Sequence, residues 1–453
     1  MAMVVKNNID ALNTLNTLNK NSEALTSDLA KVSSGLKING AADDASGYAI
    51  SERMRTQIRS LEQDNVNAQN GSSMIKVAEG ALQSSVEVLR TMKERALNAA
   101  NDTNTDDDRA TIQKELDQSI DQLDENALVT YNGQFLIDGS HNSKVQDGGC
   151  QTVMANNSLN SGVDANTEFI NMTDKNGNSL NISTNMTLTI SFVKEGITYE
   201  STCSITPNLS FSALDDATDW LPDANFPSYF AAGGGHDQWM TIGSSSSGYI
   251  GTDQVGDPVY TPEKSGVLTV TAKEAGLNGA ISGFTVCITD HTGHPVKYAN
   301  ALLDAFKEAI PAQDQSDDNA ISLQIGTKAN QSIRIGLMDM RTRALGLRGK
   351  DGYSLNIGTR EMANAAVNVL DNALTKALNQ QTTIGAMESR LEFTSSNITA
   401  SSENTQAAES VIRDADMAKA MTSYTKNNVL LQSAQSMLSQ ANQNSSSVLS
   451  LLQ

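Results

Sequence analysis

Few residue groupings in this chain have the types and spacing for chemistry. His291-Thr-Gly-His294 sets two imidazoles three residues apart, a spacing that can offer two ligands to a transition metal. No cysteine pair or acidic zincin motif stands nearby, Pro295 follows directly, and no His-Glu-x-x-His string occurs, so the pair reads as a surface turn. Asp102-Thr-Asn-Thr-Asp106 opens like a calcium loop, but Asp107 stands where that loop needs glycine and Gln113 where it needs glutamate. An acidic turn that caps a helix is the simpler reading. Cys150, Cys203 and Cys287 are too sparse, and odd in number, for a disulfide framework. The last two fall in expected strands, where a thiol behaves as a small buried hydrophobe. No phosphate loop, nucleophile elbow or paired catalytic carboxylates stand out. The sequence therefore predicts no enzyme, no cofactor and no metal.

The elements around these residues explain why chemistry is scarce. All seven prolines and both tryptophans lie between Pro207 and Pro311. The flanking arms are proline-free and apolar at helical spacing, which permits very long helices. Such arms at both termini predict a coiled-coil rod whose ends meet, built of long antiparallel helices with a small β-region. Net charge is -20, which argues against a nucleic-acid partner and suits mutual repulsion of free monomers. No stretch reaches the length of a membrane span, and Met1–Asn8 lacks the features of a secretory signal. No membrane insertion and no general secretory route are expected.

In the first arm Leu15, Leu18, Ser22, Leu25, Leu29, Val32 and Leu36 alternate spacings of three and four, the seam of a coiled coil. Ser33-Ser-Gly35 and Gly40 predict a bend over Ser33–Ala42. A second ladder runs from Ile75 to Ala99, and Thr105–Asp108 reads as a capping box for a helix from Asp108 to Asn126. The C-terminal arm mirrors this, with a ladder over Met362–Ile398 and a last one through Leu430, Ala434, Met437, Ala441, Asn444, Val448 and Leu451. The middle ladders suit packing within one subunit. The end ladders are leaner. Ordering a helix of about 36 residues costs about 1–2 kcal/mol per residue, while its six or so large apolar side chains each return at most about 1.5–3 kcal/mol. They are expected to stay largely unfolded until a partner covers them.

The centre, about His141 to Asp318, has another texture. Met186–Val193 and Ile197–Ile205 alternate like strands around a Lys194-Glu-Gly196 turn, Val267–Ala272 and Ile281–Thr289 look like two more, and Tyr298–Ile310 reads as a helix. This predicts an inserted α+β or mostly β domain. The working division is 1–42, 43–140, 141–318, 319–402 and 403–453.

Several long strings resemble the bacterial flagellins. Ser33-Ser-Gly-Leu-Lys-Ile-Asn-Gly-Ala-Ala-Asp-Asp-Ala-Ser-Gly-Tyr-Ala-Ile-Ser-Glu-Arg-Met54 is similar to their N-terminal hallmark. Ile384-Gly-Ala-Met-Glu-Ser-Arg-Leu-Glu392, Ile412-Arg-Asp-Ala-Asp-Met417 and the tail from Gln440 to Leu452 match C-terminal hallmarks. The likeness covers about Met1–Ser140 and Ser322–Gln453. The Leu323–Ile335 look-alike of a strand pair follows Asn132–Gly139 only after the long insert, which places that insert within the small β-region. The resemblance implies a filament subunit for swimming motility: terminal helices form the tubular core, middle helices a rod layer, and the insert faces outward. It also implies unfolded type III export, an export chaperone on the C-terminal ladder, and hook-associated and cap proteins as partners in an extracellular filament.

The same resemblance implies contact with the flagellin-sensing Toll-like receptor of animals through Leu89, Thr91, Glu94, Arg95 and Glu115. Strongly stimulatory members usually carry Arg at the position of Thr91 and Leu at that of Arg95, so docking should be weakened. Two rivals stand beside the filament subunit. One is a flagellin-like protein at the hook–filament junction; the other is an adhesin or enzyme displayed within residues 141–318, which a cleft with convergent ionisable groups would favour.

Overall fold

The computed structural model describes residues 8–145, 148–160, 162–211, 239–244, 249–252, 258–260 and 267–451. Trp220, the Gly233–Gly235 run and most of the Ser244–Gly248 loop fall outside them. The chain forms two compact units: Met1–Asn67, Ile325–Gln331 and Phe393–Gln453 make one, Ala68–Gln324 and Ser332–Glu392 the other.

In the first unit, helix α1 (Ile9–Ser34) starts where the Asn8 side chain accepts the Ala11 N–H at 2.9 Å. It stops at Gly35, whose φ of 72° is reached without the penalty a Cβ would bring. The bend expected over Ser33–Ala42 is therefore present. Helix α2 (Ala45–Ala99) resumes after Asp44, whose carboxylate accepts the Ser46 and Gly47 amides.

Helix α3 (Asp106–Ala127) opens with the capping box read from the sequence, Thr105 and Asp108 each satisfying the other's backbone N–H. A short hairpin follows, β1 (Thr130–Tyr131) with β2 (Gln134–Phe135). The central strands are β3 (Val153–Asn156), β4 (Thr187–Lys194), β5 (Ile197–Ser204), β6 (Met240–Ser244), β7 (Tyr249–Thr252), β8 (Pro258–Tyr260), β9 (Leu268–Ala272) and β10 (Ile281–Thr289). Then come helix α4 (Lys297–Leu303), strand β11 (Phe306–Ile310) and the hairpin β12 (Ile321–Gln324)–β13 (Ser332–Ile335). Helices α5 (Arg360–Arg413) and α6 (Met417–Leu451) complete the order. One antiparallel sheet runs β10-β4-β5 and another β11-β3-β9-β6, sharing a core that includes Phe169, Phe192, Phe211 and Phe284.

One expectation fails. The helix predicted over Tyr298–Ile310 ends at Leu303, and Phe306–Ile310 becomes a strand paired with β3 in the register Phe306↔Asn156. Phe306 and Ile310 are buried while Lys307 and Ala309 face out, and the edge of β3 supplies a backbone ladder that local helix preference does not outweigh.

The middle ladders do pack within the subunit. Ile75, Leu82, Leu89 and Met92 of α2, Leu116 and Ile120 of α3, and Val369 and Ala373 of α5 have no exposed surface. Lys76 pairs with Glu388 at 3.4 Å and Lys93 with Asp371, so α2 and α5 run antiparallel here. The β10 strand meets α5 at Gly283, in a bulge with φ +62°. A Cβ there would stand 2.4 Å from Val369 Cγ2 and 2.7 Å from the Ala365 carbonyl, so only glycine lets strand and helix approach so closely. Helix α5 passes through Ser401–Glu403 without a break and ends at Arg413.

Candidate assembly surface

Helices α1 and α6 lie antiparallel in the first unit. The Asn8 side chain donates to the Ala441 carbonyl at 3.2 Å, and the Asn427 side chain donates to Asp28 at 2.7 Å. Leu18, Leu25 and Val32 on α1, with Leu431 and Leu438 on α6, are half-buried, and Ala434 is buried. The end ladders were expected to remain unfolded without a partner. Instead each arm is helical and covers one side of the other, so the chain itself supplies that first partner.

The remaining sides stay apolar and open. No residue of α1 is buried, and Leu12 is 57% exposed. Ile9, Leu15 and Leu29 are exposed with it, as are Met417, Met421, Val429, Leu430 and Met437 on α6, the last at 62%. Of the predicted ladder, Leu15, Leu29, Leu430 and Met437 thus lie on the uncovered side, whereas Leu18, Leu25, Val32 and Leu36 are half-buried. Val448 and Leu451 fall on the α6 backbone, but their side chains are outside those described. Reading one heptad seam missed Ile9, Leu12, Met417, Met421 and Val429. The signal was there as a second apolar series offset from the first, Met417 and Met421 one turn apart and Val429 two turns on. A groove of about 600 Å³ runs past Met421, Thr425, Val429 and Leu430.

Both breaks that free this helix pair are tied to each other. The Lys37 N–H donates to the Arg413 carbonyl at 2.7 Å, and the Ala415 N–H donates to the Gly35 carbonyl at 2.9 Å. The bends on the two arms therefore form one joint.

On the second unit, Leu89 is fully buried. The Thr91 hydroxyl donates to the Glu87 carbonyl at 3.0 Å, Glu94 is exposed, and Arg95 pairs with Glu115 at 2.9 Å. The face presents a satisfied ion pair where the sequence suggested separate contacts.

The groups weighed for chemistry are spent on structure. His291 and His294 are exposed in a turn organised by Asp290, whose carboxylate accepts the Thr292 hydroxyl and the His294 and Thr292 amides and is held down to about 2. The Asp102–Asp106 turn is pinned by buried Arg109, which donates to the Ala99 and Asn101 carbonyls at 2.9 and 3.2 Å. Burial pushes the Cys203 thiol up to about 11. Among the described residues no group of three or more His, Cys, Asp or Glu side chains is placed to hold a metal ion. No described helix is long and apolar enough to cross a membrane.

Comparison with known proteins identifies the two terminal arms. Residues 5–142 match the bacterial flagellin N-terminal helical region, and residues 367–452 the bacterial flagellin C-terminal helical region. The chain is 34% identical to a flagellin of Clostridium tyrobutyricum over 97% of its own length and 99% of that protein's. It is 29% identical to a flagellar filament 33 kDa core protein of Treponema phagedenis, over 99% of this chain and 100% of that one. Among solved structures, a flagellar junction protein of Legionella pneumophila aligns with 80% of this chain and 99% of its own, at 14% identity and a TM-score of 0.31.

Proposed function

The chain belongs to the bacterial flagellins and is a structural subunit that polymerises into the flagellar filament; on that premise we propose that it polymerises through the uncovered apolar stripes of α1 and α6. The carrying observation is that paired helices leave Leu12, Leu15, Leu29, Met421, Val429 and Met437 in water. A half-exposed leucine or methionine returns on the order of 1 kcal/mol when covered. Association costs about 4–15 kcal/mol in lost freedom, so one contact is not enough. Neighbours on several sides of a tubular lattice supply the rest.

Residues 1–42 and 403–453 are assigned to the filament core, 43–140 and 319–402 to the layer around it, and 141–318 to the outward-facing insert. The chain leaves the cell unfolded through the type III apparatus. An export chaperone covers the groove at Met421 and Leu430 meanwhile, and hook-associated and cap proteins meet the subunit at the filament ends. Contact with the animal Toll-like flagellin receptor runs through Thr91, Glu94, Arg95 and Glu115, weakened by the charge at Arg95.

The test is electron microscopy of full-length chain seeded with short filament fragments in high sulfate, which strengthens apolar burial. Long filaments from the intact chain, and none from a chain lacking Leu430–Gln453, are expected. A chain that only caps the seeds would instead be the hook–filament junction protein.

A further inference from the structure

In the second unit, β11 and α5 enclose a cleft of about 880 Å³. Asn368, Asn372, Thr375, Asn379 and Thr382 line one side at three- and four-residue spacing. They share one helix face, about 21 Å long. Asp304, Phe306, Glu308 and Pro311 line the other side.

The charges in this cleft do not balance evenly. Glu308 pairs with Lys376 at 3.0 Å, both side chains being largely buried, and Asp371 pairs with Lys93. Asp304 has no cation within pairing distance among the described residues. Its Oδ1 accepts only two long bonds, from the Val286 N–H at 3.4 Å and the Asn368 side chain at 3.3 Å. The carboxamides of Asn372 and Asn379 make no hydrogen bond among the described residues, and the Thr375 and Thr382 hydroxyls donate back into their own helix at 2.8 and 2.9 Å. Asp304 is the carboxylate on this wall that no ion pair among the described residues compensates, and vacant amide oxygens stand beside it to accept from a cation. Lys307, also on the wall, is exposed and makes no ion pair with it.

We propose that this cleft binds a primary alkylammonium group, with Asp304 pairing to the ammonium and the amide oxygens of Asn368 and Asn372, one turn apart on α5, accepting its other two N–H bonds. The cleft is much larger than an ammonium, so it also takes the carbon chain, from a free di- or polyamine or from a lysine side chain of another copy. A neutral sugar would leave Asp304 uncompensated, and an anion would be repelled by it. The net charge of -20 draws cations toward the chain in general. Burial pushes the Asp304 carboxyl up to about 6, as befits a charge without a counter-ion. The titratable and charged groups around it are Cys287 on β10, Lys307 and Glu308 on β11, and Arg360, Glu361, Asp371 and Lys376 along α5. Arg360 is engaged by Asp102 and Glu361.

The test is calorimetric titration of full-length, monomeric chain with putrescine and, separately, with Nα-acetyl-lysine amide, at pH 7.5 and 5.0. Saturable one-to-one binding is expected at pH 7.5, and which probe binds identifies the source of the ammonium. At pH 5.0 only about one Asp304 in ten is ionised, so binding should weaken about tenfold. Asp304→Asn should abolish it, Asn372→Leu should weaken it at least about threefold while keeping every charge, and Asp10→Asn, on an exposed acid of α1, should leave it intact. Melting curves check that each variant is folded. Equal binding by the wild type and the Asp304→Asn variant, insensitivity to Asn372→Leu, or no saturable binding of either probe would overturn the proposal.

Discussion

Arg413, the last residue of α5, reaches Glu52 on α2 at 2.5 Å while its guanidinium lies 5.3 Å from the centre of the Tyr48 ring. The arginine side chain is only 6% exposed, whereas the carboxylate is 44% exposed. Together they clamp the joint through which both end helices connect, since the Arg413 carbonyl also takes the Lys37 N–H. Replacing Arg413 by methionine keeps the packing length and removes the fork. Amide exchange at Lys37 and Ala415 should then quicken about tenfold or more as the joint opens locally, while exchange along α3 stays as it was. Exchange that is unchanged at both amides would mean the backbone bonds hold the joint unaided. The Arg413 hydrogen bond also holds the Glu52 carboxyl below its ordinary value. Its contribution is therefore present above that ordinary value and lost as pH falls through the lowered one. Protection at the joint, measured against each amide's intrinsic exchange rate, should fall in the wild type as pH drops through the lowered Glu52 value, and the methionine variant should lack this response.

Asp304 behaves in the opposite sense. Burial raises its carboxyl from 3.8 to about 6, so the folded state prefers it protonated. Its stabilising effect is complete below the ordinary value and fades as pH rises through about 6. The ionised form then carries a penalty of roughly 3 kcal/mol. Asp304→Asn, still able to accept from Val286 N–H, should raise the urea midpoint at pH 8 and leave it nearly unchanged at pH 4. A variant equally destabilised at both values would mean that the carboxylate is compensated.

Gln380 sits on α5 with no exposed surface, and neither its amide oxygen nor its nitrogen has a hydrogen-bond partner among the described residues. An unsatisfied buried amide costs about 1–3 kcal/mol. Gln380→Leu, close in volume, should raise the melting temperature by several degrees. A lower melting temperature would point to an ordered water that the leucine displaces.

The long helices were legible because proline is absent from the arms and their apolar residues keep helical spacing, and the Gly35 bend and Thr105–Asp108 cap were legible because each needs particular side chains at particular positions. Phe306–Ile310 was not, since its strand character comes from the distant edge of β3 and leaves no local mark. The assembly surface was half legible. A seam of alternating threes and fours identifies an apolar helix, yet it does not say which stripe meets the chain's own other arm. Leu18 and Leu25 went to that internal contact; Leu12 and Met421, outside the seam, were left open. The Asp304 cleft needed three elements from separate parts of the chain, so no sequence window contained it.

The two stripes can be separated by experiment. Leu12→Gln with Met437→Gln alters only exposed apolar side chains, so the free subunit should change by no more than about 0.5 kcal/mol and keep its helicity by circular dichroism. If neighbouring subunits cover these positions, the doubly substituted chain should need at least about tenfold more protein to polymerise in a seeded sedimentation assay, equivalent to about 1.4 kcal/mol per contact set. Leu431→Ala acts from the other side, removing part of the half-buried surface between α6 and α1. It should lower helicity of the free chain first and impair polymerisation only in consequence, so added sulfate should restore much of its assembly. If the Leu12 and Met437 double variant assembles at the wild-type concentration, those side chains face solvent in the filament and the contact between subunits lies elsewhere.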